Sequence, residues 1–371
     1  MFDTKSIVKQ FQVCGEPVDA QPYGSGHIHD TYVVKCHQGE IYLRYILQRI
    51  NNRVFKKPAA VMENIVRVTT HIRGKLNDVE ANDINRRALQ VVPAREGRAY
   101  FRCPEGNYWR MYNFIENAQS YDTIDSLDKL YEAARTFGYF QNMLSDFPAP
   151  PLHETIPGFH DGPKRFRAFQ EALEADACGR AQGSSMEIDF LQSHAWIFDV
   201  LPKLVESGDI PIRVTHNDAK INNILFDNNT GKGLCVIDLD TVMSGSALYD
   251  FGDIVRTTIS DAAEDEKDLS KVTIDLSRFE MVVRGYLSSA QAFLNKTEIN
   301  NLLLGAKTIV LEQAVRFLTD HLSGDVYYKV HRPNHNLDRC RNQFKLVRLM
   351  IEHQQDMDTV VNKYSSGIGR N

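Results

Sequence analysis

The chain has 371 residues, 43% hydrophobic and 25% charged, with a net charge of only −5. That composition excludes disorder, collagen and a coiled coil as the main architecture, and the length suits two domains or one two-lobed unit whose core needs neither metal nor disulfides. Positive and negative residues are interleaved with no basic block, so no nucleic-acid face is expected. In chain order, residues 31–36 (TYVVKC) are β-branched and aromatic. Residues 39–48 alternate Ile41, Leu43, Tyr45 and Leu47 against Tyr42, Arg44, Ile46 and Gln48. Both segments are predicted strands. Pro58 opens a predicted helix with Val61, Ile65 and Val68 on one stripe. Two further strands, 99–103 and 107–115, flank a turn at Cys103–Asn107, with a linking strand near 112–116. Helical spacing follows in 124–147, around 302–322, and in the stripe Leu337, Cys340, Phe344, Val347 and Ile351. Between these helices lies one β island, with predicted strands 221–226 and 234–239 joined by the turn 228–233. The expectation is an α+β chain with a β-rich N-terminal lobe, 1–112, and a mainly helical C-terminal lobe, 113–371.

The six cysteines are dispersed and none lies within four residues of another, which reads as reduced thiols of a cytosolic protein. No basic segment followed by an apolar stretch opens the chain, and no apolar run approaches 18 residues. Neither a signal peptide nor a membrane span is therefore expected, and the expected compartment is the cytoplasm.

The most informative stretch is 214–240, VTHNDAKINNILFDNNTGKGLCVIDLD. It holds His216-x-Asp218, Asn223 five residues after that aspartate, and Asp238 at the end of an apolar strand. Phosphoryl transfer needs such a set: one carboxylate to accept the proton of the attacking hydroxyl, and an amide oxygen with a second carboxylate to hold Mg²⁺ against nucleotide phosphates. Asp218 is the expected base, Asn223 and Asp238 the expected metal ligands, and Lys220 an ammonium within reach of the γ-phosphate. Asp250-Phe251-Gly252 spells the metal motif of protein kinases but lies 27 residues after Asn223. Asp250 is therefore expected to cap a helix or brace the catalytic loop.

Upstream, Tyr23-Gly24-Ser25-Gly26-His27-Ile28-His29 precedes a strand, which suits a glycine loop over ATP phosphates and not a dinucleotide fingerprint. The two histidines have no third ligand at a usual spacing. The run Tyr108–Glu116 is expected to offer backbone groups to adenine at Asn113 and Ile115. Glu312, Arg316 and Asp320 stand four apart on one helix face, followed by a tail carrying Tyr327 and Tyr328. Carboxylate, guanidinium and tyrosine together suit a ring of sugar hydroxyls.

VTHNDAKINN followed by CVIDLDT resembles the aminoglycoside phosphotransferase and choline kinase-like superfamily. YGSGHIHDTY, VIDLDTVMSGSALYDFGD and LEQAVRFLTDHLSGDVYY make the resemblance closest to anomeric sugar kinases of the N-acetylhexosamine 1-kinase type. The resemblance implies a two-lobed protein-kinase-like fold, ATP and Mg²⁺ as cofactors, and phosphorylation of N-acetylglucosamine or N-acetylgalactosamine at C1. It implies Asp218 as base, Asn223 and Asp238 as metal ligands, Arg316 and Tyr327 as sugar contacts, and His27 at the tip of the glycine loop. One departure stands out: where protein kinases carry a strand lysine, this chain has Gln48. Arg44, on the same strand face, is the expected phosphate cation, with Glu63 as its partner. The rival readings are a kinase of another small alcohol, such as an amino alcohol or an antibiotic, and a nucleotide-binding pseudokinase. Oligomeric state has no signature in the sequence.

Overall fold

The computed structural model describes residues 3–24, 28–80, 83–124 and 126–365. The chain forms two compact units. The first comprises Met1–Ser120, Asp146–Pro157 and Ile224–Met243, and the second comprises Tyr121–Ser145, Gly158–Asn223 and Ser244–Asn371.

The first unit is built on five antiparallel strands: β1 (Glu16–Pro22), β2 (Asp30–Gln38), β3 (Ile41–Ile50), β4 (Phe101–Arg102) and β5 (Tyr108–Asn113), in the order β1-β2-β3-β5-β4. The alternation read in 41–48 is the cause of its two faces. Tyr45 and Leu47 join Val34, Cys36, Trp109 and Met111 in a buried core with Val8 and Phe11. The register then places Val33 opposite Ile46, Lys35 opposite Arg44, and Gln48 opposite Arg110. These side chains share the face turned away from that core. Strand β1 has no alternating pattern and carries Pro17 and Pro22, which an edge strand tolerates. Only its pairing with β2 reveals it as a strand.

The helix Pro58–Glu80 follows β3, with Val61, Met62, Ile65 and Val68 buried. Its buried Asn64 donates to the carbonyls of His153 and Val242 and accepts from the His153 N–H. The hairpin Ile224–Asp227 and Gly233–Val236 belongs to this first unit, because Ala118–Gln119 adds a third strand beside it. That differs from the expected boundary after residue 112, which assigned the hairpin to the helical lobe. The strand pairing spans more than a hundred residues of chain, so no local pattern carries it.

The second unit is helical. Helix Leu302–Leu322 is buried on almost every side. It crosses helix Ala247–Thr258 at two glycines: a Cβ on Gly252 would lie 2.6 Å from the Gly305 carbonyl oxygen, and one on Gly305 would lie 2.5 Å from that of Leu248. This close approach sets the two helices that carry Asp250 and Glu312. No helix among the described residues is long and apolar enough to cross a membrane.

Candidate active site

In the second unit, the loop after strand Arg213–Thr215 carries the predicted base. His216 is fully buried, its ring edge-on to Phe137 and Phe140. Asn217 adopts φ +64°, a strained conformation for a non-glycine residue that marks functional loops. Asp250 holds this strain in place: it accepts from the backbone N–H of His216 at 2.8 Å, from that of Asn217 at 2.6 Å, and from the Gln141 amide at 2.6 Å. Ser246 caps the helix Ala247–Thr258 and Asp250 lies in its first turn, so Asp250 braces the loop and does not cap the helix. Burial pushes the Asp250 carboxyl above the ordinary carboxylate range, against the pull of His216 and these donors.

Asp218 follows, with Lys220 at 3.0 Å. Burial raises the Asp218 carboxyl, but Lys220 and His216 outweigh it and hold the group below the ordinary range, so this carboxyl is ionised at neutral pH. Lys220 is held in its charged form by Asp218 first, against desolvation, with Asp253 adding to the effect. The Asn223 amide donates through Nδ2 to the Asp218 carbonyl at 2.9 Å and to its carboxylate at 3.3 Å. With Nδ2 spent on Asp218, Asn223 keeps its Oδ1, a hard oxygen of the kind Mg²⁺ takes.

In the first unit, Asp238 sits two residues beyond the strand Gly233–Val236, at φ +59°, and opens the short turn Leu239–Thr241. That strained backbone aims a carboxylate out of a buried turn, which fits a metal-ligand role. Asp240, two residues on and buried, is gripped by both nitrogens of the buried Arg110 fork at 2.5 and 2.6 Å. Desolvation opposes the Asp240 charge, yet Arg110 and then His29 hold it far below the ordinary range. The pair extends in both directions. Arg110 Nε donates to Gln48 Oε1 at 2.9 Å, and the Gln48 amide donates to Thr31 Oγ1. His29 lies close enough to Asp238 and Asp240 for the three to share a cation. However, its Nδ1 accepts from the Asn51 N–H at 3.0 Å, so Nε2 carries the proton that faces Asp240 at 3.4 Å. His29 is therefore a hydrogen-bond donor to Asp240, and Asp238 is the exposed carboxylate of the three.

The position without a lysine thus holds an amide that aims a guanidinium. Arg44, the expected phosphate cation, instead pairs with Glu116 and stacks on Phe114 at 3.9 Å. Glu63 pairs with His153 at 2.9 Å and not with Arg44. Arg44 and Glu116 help line an open groove of about 560 Å³ with Asp19, Gln21, Val33, Lys35 and Tyr42. Asn113 ends β5 with its amide on Gln90, and Ile115 is buried. Gly24 has φ +79°, a conformation open to glycine, while Ser25, Gly26 and His27 lie outside the described residues.

Residues 19–272 match the phosphotransferase enzyme family. The chain belongs to that family. The fold is also similar to three solved structures. These are a microcompartment-associated aminopropanol kinase (16% identity, TM-score 0.57, 96% of this chain and 98% of that one), an aminoglycoside phosphotransferase from Alicyclobacillus acidocaldarius (11%, 0.60, 99% and 97%), and a choline kinase from Cryptosporidium parvum (14%, 0.56, 94% and 93%). The chain therefore has the kinase-like fold, with an antiparallel sheet in the first unit and a helical second unit.

The remaining predicted residues cluster on helix Leu302–Leu322 and its tail. Arg316 donates to Gln313 at 3.0 Å and lies over the Tyr328 ring at 5.6 Å. Tyr327 is 69% exposed. Asp320 is committed to its own chain: its carboxylate accepts from the backbone N–H of Tyr327 and Tyr328 and from the Asn336 amide, which ties the tail to the helix. This departs from the expectation that it grips substrate. Glu312 pairs with the ring of His160, a residue the sequence reading passed over because a lone histidine before a helix carries no spacing signal.

Asp250→Asn is expected to cost about 1–3 kcal/mol of stability, since the new NH₂ replaces one of the two accepting oxygens and cannot accept from the buried donors that face it. Urea unfolding of the variant against wild type measures this, and an unchanged midpoint would remove Asp250 from the bracing role.

Proposed function

We propose that this chain transfers the γ-phosphoryl group of ATP to the anomeric hydroxyl of an N-acetylhexosamine, N-acetylglucosamine or N-acetylgalactosamine, giving the sugar 1-phosphate. Such transfer is mostly positioning and charge neutralisation. Asp218, ionised beside Lys220, accepts the hydroxyl proton, and the Lys220 ammonium meets the γ-phosphate. Asn223 Oδ1 and Asp238 are the oxygens for Mg²⁺, which when bound neutralises charge on the phosphates. The sheet face of β2, β3 and β5 is the side offered to the nucleotide.

The observation that carries the sugar over a cationic amine is the charge of the acceptor cluster. Its two carboxylates are already engaged, Glu312 by His160 and Asp320 by three N–H groups. Arg316, by contrast, makes no carboxylate ion pair among the described residues and is half-buried. Arg316 lies one helical turn from Glu312, and His160 links Glu312 to Asn217, next to the base. An ammonium headgroup entering beside Arg316 meets a guanidinium whose neighbouring carboxylates Glu312 and Asp320 are already engaged, whereas neutral hydroxyls and an acetamido carbonyl find donors.

The anomeric hydroxyl is also the most acidic one on the sugar, because the ring oxygen withdraws charge, and Asp218 takes its proton with the least driving force. ADP release measured against N-acetylhexosamines, other sugars and amino alcohols tests the reading. The expected product has no reducing end and returns free sugar in mild acid. A product that still reduces copper reagents, or turnover confined to amino alcohols, overturns it.

A further inference from the structure

The geometry points to His160 as a positioning residue for the loop that carries Asp218, acting as a clamp between Glu312 and the Asn217 carbonyl. This rests on the phosphoryl-transfer reading of Asp218 and not on the identity of the acceptor. His160 sits just before the helix Gly162–Ala175. Its Nε2 lies 2.8 Å from the Asn217 carbonyl oxygen, and its Nδ1 lies 3.2 and 3.3 Å from the two oxygens of Glu312. A carbonyl oxygen only accepts, so Nε2 carries a hydrogen. An ionised carboxylate also only accepts, and the near-equal distances to both Glu312 oxygens suit one hydrogen on Nδ1 shared between them. A ring with hydrogens on both nitrogens is an imidazolium.

The surroundings favour that charge. Glu312 is 2% exposed and has no other cationic hydrogen-bond partner among the described residues, so the imidazolium neutralises a buried carboxylate. Around the ring lie Asp161 on its own loop, Tyr249 and Asp253 on helix Ala247–Thr258, and Glu312 on helix Leu302–Leu322, with Arg316 one turn further along. Tyr249 packs tilted against the ring at 4.9 Å and Phe159 at 4.7 Å. Asp253 is itself held by Arg256 at 2.8 Å. Burial works against the imidazolium, but Glu312 leads the groups that raise its titration above the ordinary histidine range.

The consequence lies in Asn217. Its N–H is bound by Asp250, its side chain meets the Thr215 hydroxyl at 3.0 Å, and its carbonyl is bound by His160. Every polar group of this strained residue is therefore held from a different part of the unit. The next residue is Asp218, whose direction is set by the Asn217 peptide. Freeing the carbonyl leaves the base present but loosely aimed, and small misplacements of a reacting group cost up to about a hundredfold in rate.

The sign with pH follows. The titration of His160 is raised, so the clamp is intact at low and neutral pH and is lost as pH rises through the folded value. Wild-type kcat should therefore fall on the alkaline side.

The test compares wild type with His160→Ala, His160→Gln, the double variant His160→Gln/Glu312→Gln and Asp218→Asn, using whichever alcohol of the ADP-release panel gives turnover. His160→Ala should lower kcat by about 10–100-fold with KM for nucleotide and alcohol changed by less than about threefold. The double variant keeps a donor to Asn217 and removes the buried charge. It should recover most of the kcat and lose the alkaline limb. Ring ¹⁵N shifts of His160 in the full chain should report two protonated nitrogens at neutral pH, whatever the acceptor is. Unchanged kcat in His160→Ala, a double variant that keeps the alkaline limb, or a singly protonated ring each overturns the clamp. Unchanged kcat in Asp218→Asn would instead overturn the reading of the base.

Discussion

Asp218→Asn should lower kcat by about 10²–10⁴-fold, the range for loss of a general base. The substitution keeps the shape of the side chain and the Asp218 backbone carbonyl that Asn223 Nδ2 uses, so the loop retains its conformation. It removes the carboxylate that Lys220 and His216 hold ionised. An amide cannot take the proton of the attacking hydroxyl, whereas nucleotide binding does not depend on that event. Nucleotide affinity by calorimetry should therefore change little, as should the thermal midpoint. A variant with near-normal kcat would remove Asp218 from the chemistry, and one that no longer binds nucleotide would assign it to binding.

The second large effect concerns a residue outside the catalytic motif. Arg110→Met should cost about 3–5 kcal/mol in urea unfolding of the full chain, because it strands a buried carboxylate. Arg110 and Asp240 are 1% and 2% exposed, and neither has bulk water to fall back on. Met fills much of the space of the arginine stem but supplies no donor, so Asp240 keeps only His29 among the described residues, while Gln48 loses the Nε hydrogen bond. The cost belongs mainly to the unpaired charge and not to the pair as such. Arg110→Met/Asp240→Asn should therefore recover most of the loss, and the pair should be strongly non-additive. A single-variant cost under about 1 kcal/mol, or additive losses in the double variant, would show that the network does not hold the turn after Asp238.

The two predictions differ in how far the sequence alone could have led to them. Asp218 was legible because His216-x-Asp218 with Asn223 five residues on is a local pattern, and the chemistry fixes its spacing within one loop. The strands β2, β3 and β5 were legible for a similar reason, since alternation is a property of neighbouring residues. Strand β1 was not, because its prolines break the pattern and only pairing defines it. Arg110, in the run Tyr108–Glu116, carries no spacing signal of its own. Its partner is 130 residues away, and its direction comes from the antiparallel register that sets Gln48 opposite it.

Arg44 shows the same limit from the other side. Strand alternation puts it on one face with Gln48, and that face is the one observed. Yet Glu116 and Phe114, beyond the end of β5, engage its guanidinium, and the buried cation on this face is Arg110. Asp320 belongs to an i,i+4 ladder that the helix does present, but the tail folds back and covers it.

The sequence by itself determined the elements with local periodicity and the loop holding Asp218, Lys220 and Asn223, but it read Asp238 as the end of a strand where the structure has a left-handed turn. Tertiary structure decided which charges are satisfied: Asp240 by Arg110, Asp250 by the loop amides, Glu312 by His160. The physical reason is that periodicity and motif spacing are short-range properties of the chain. A buried charge, by contrast, is tolerated only where a partner is delivered by another element, and register, helix crossing and chain reversal select that partner.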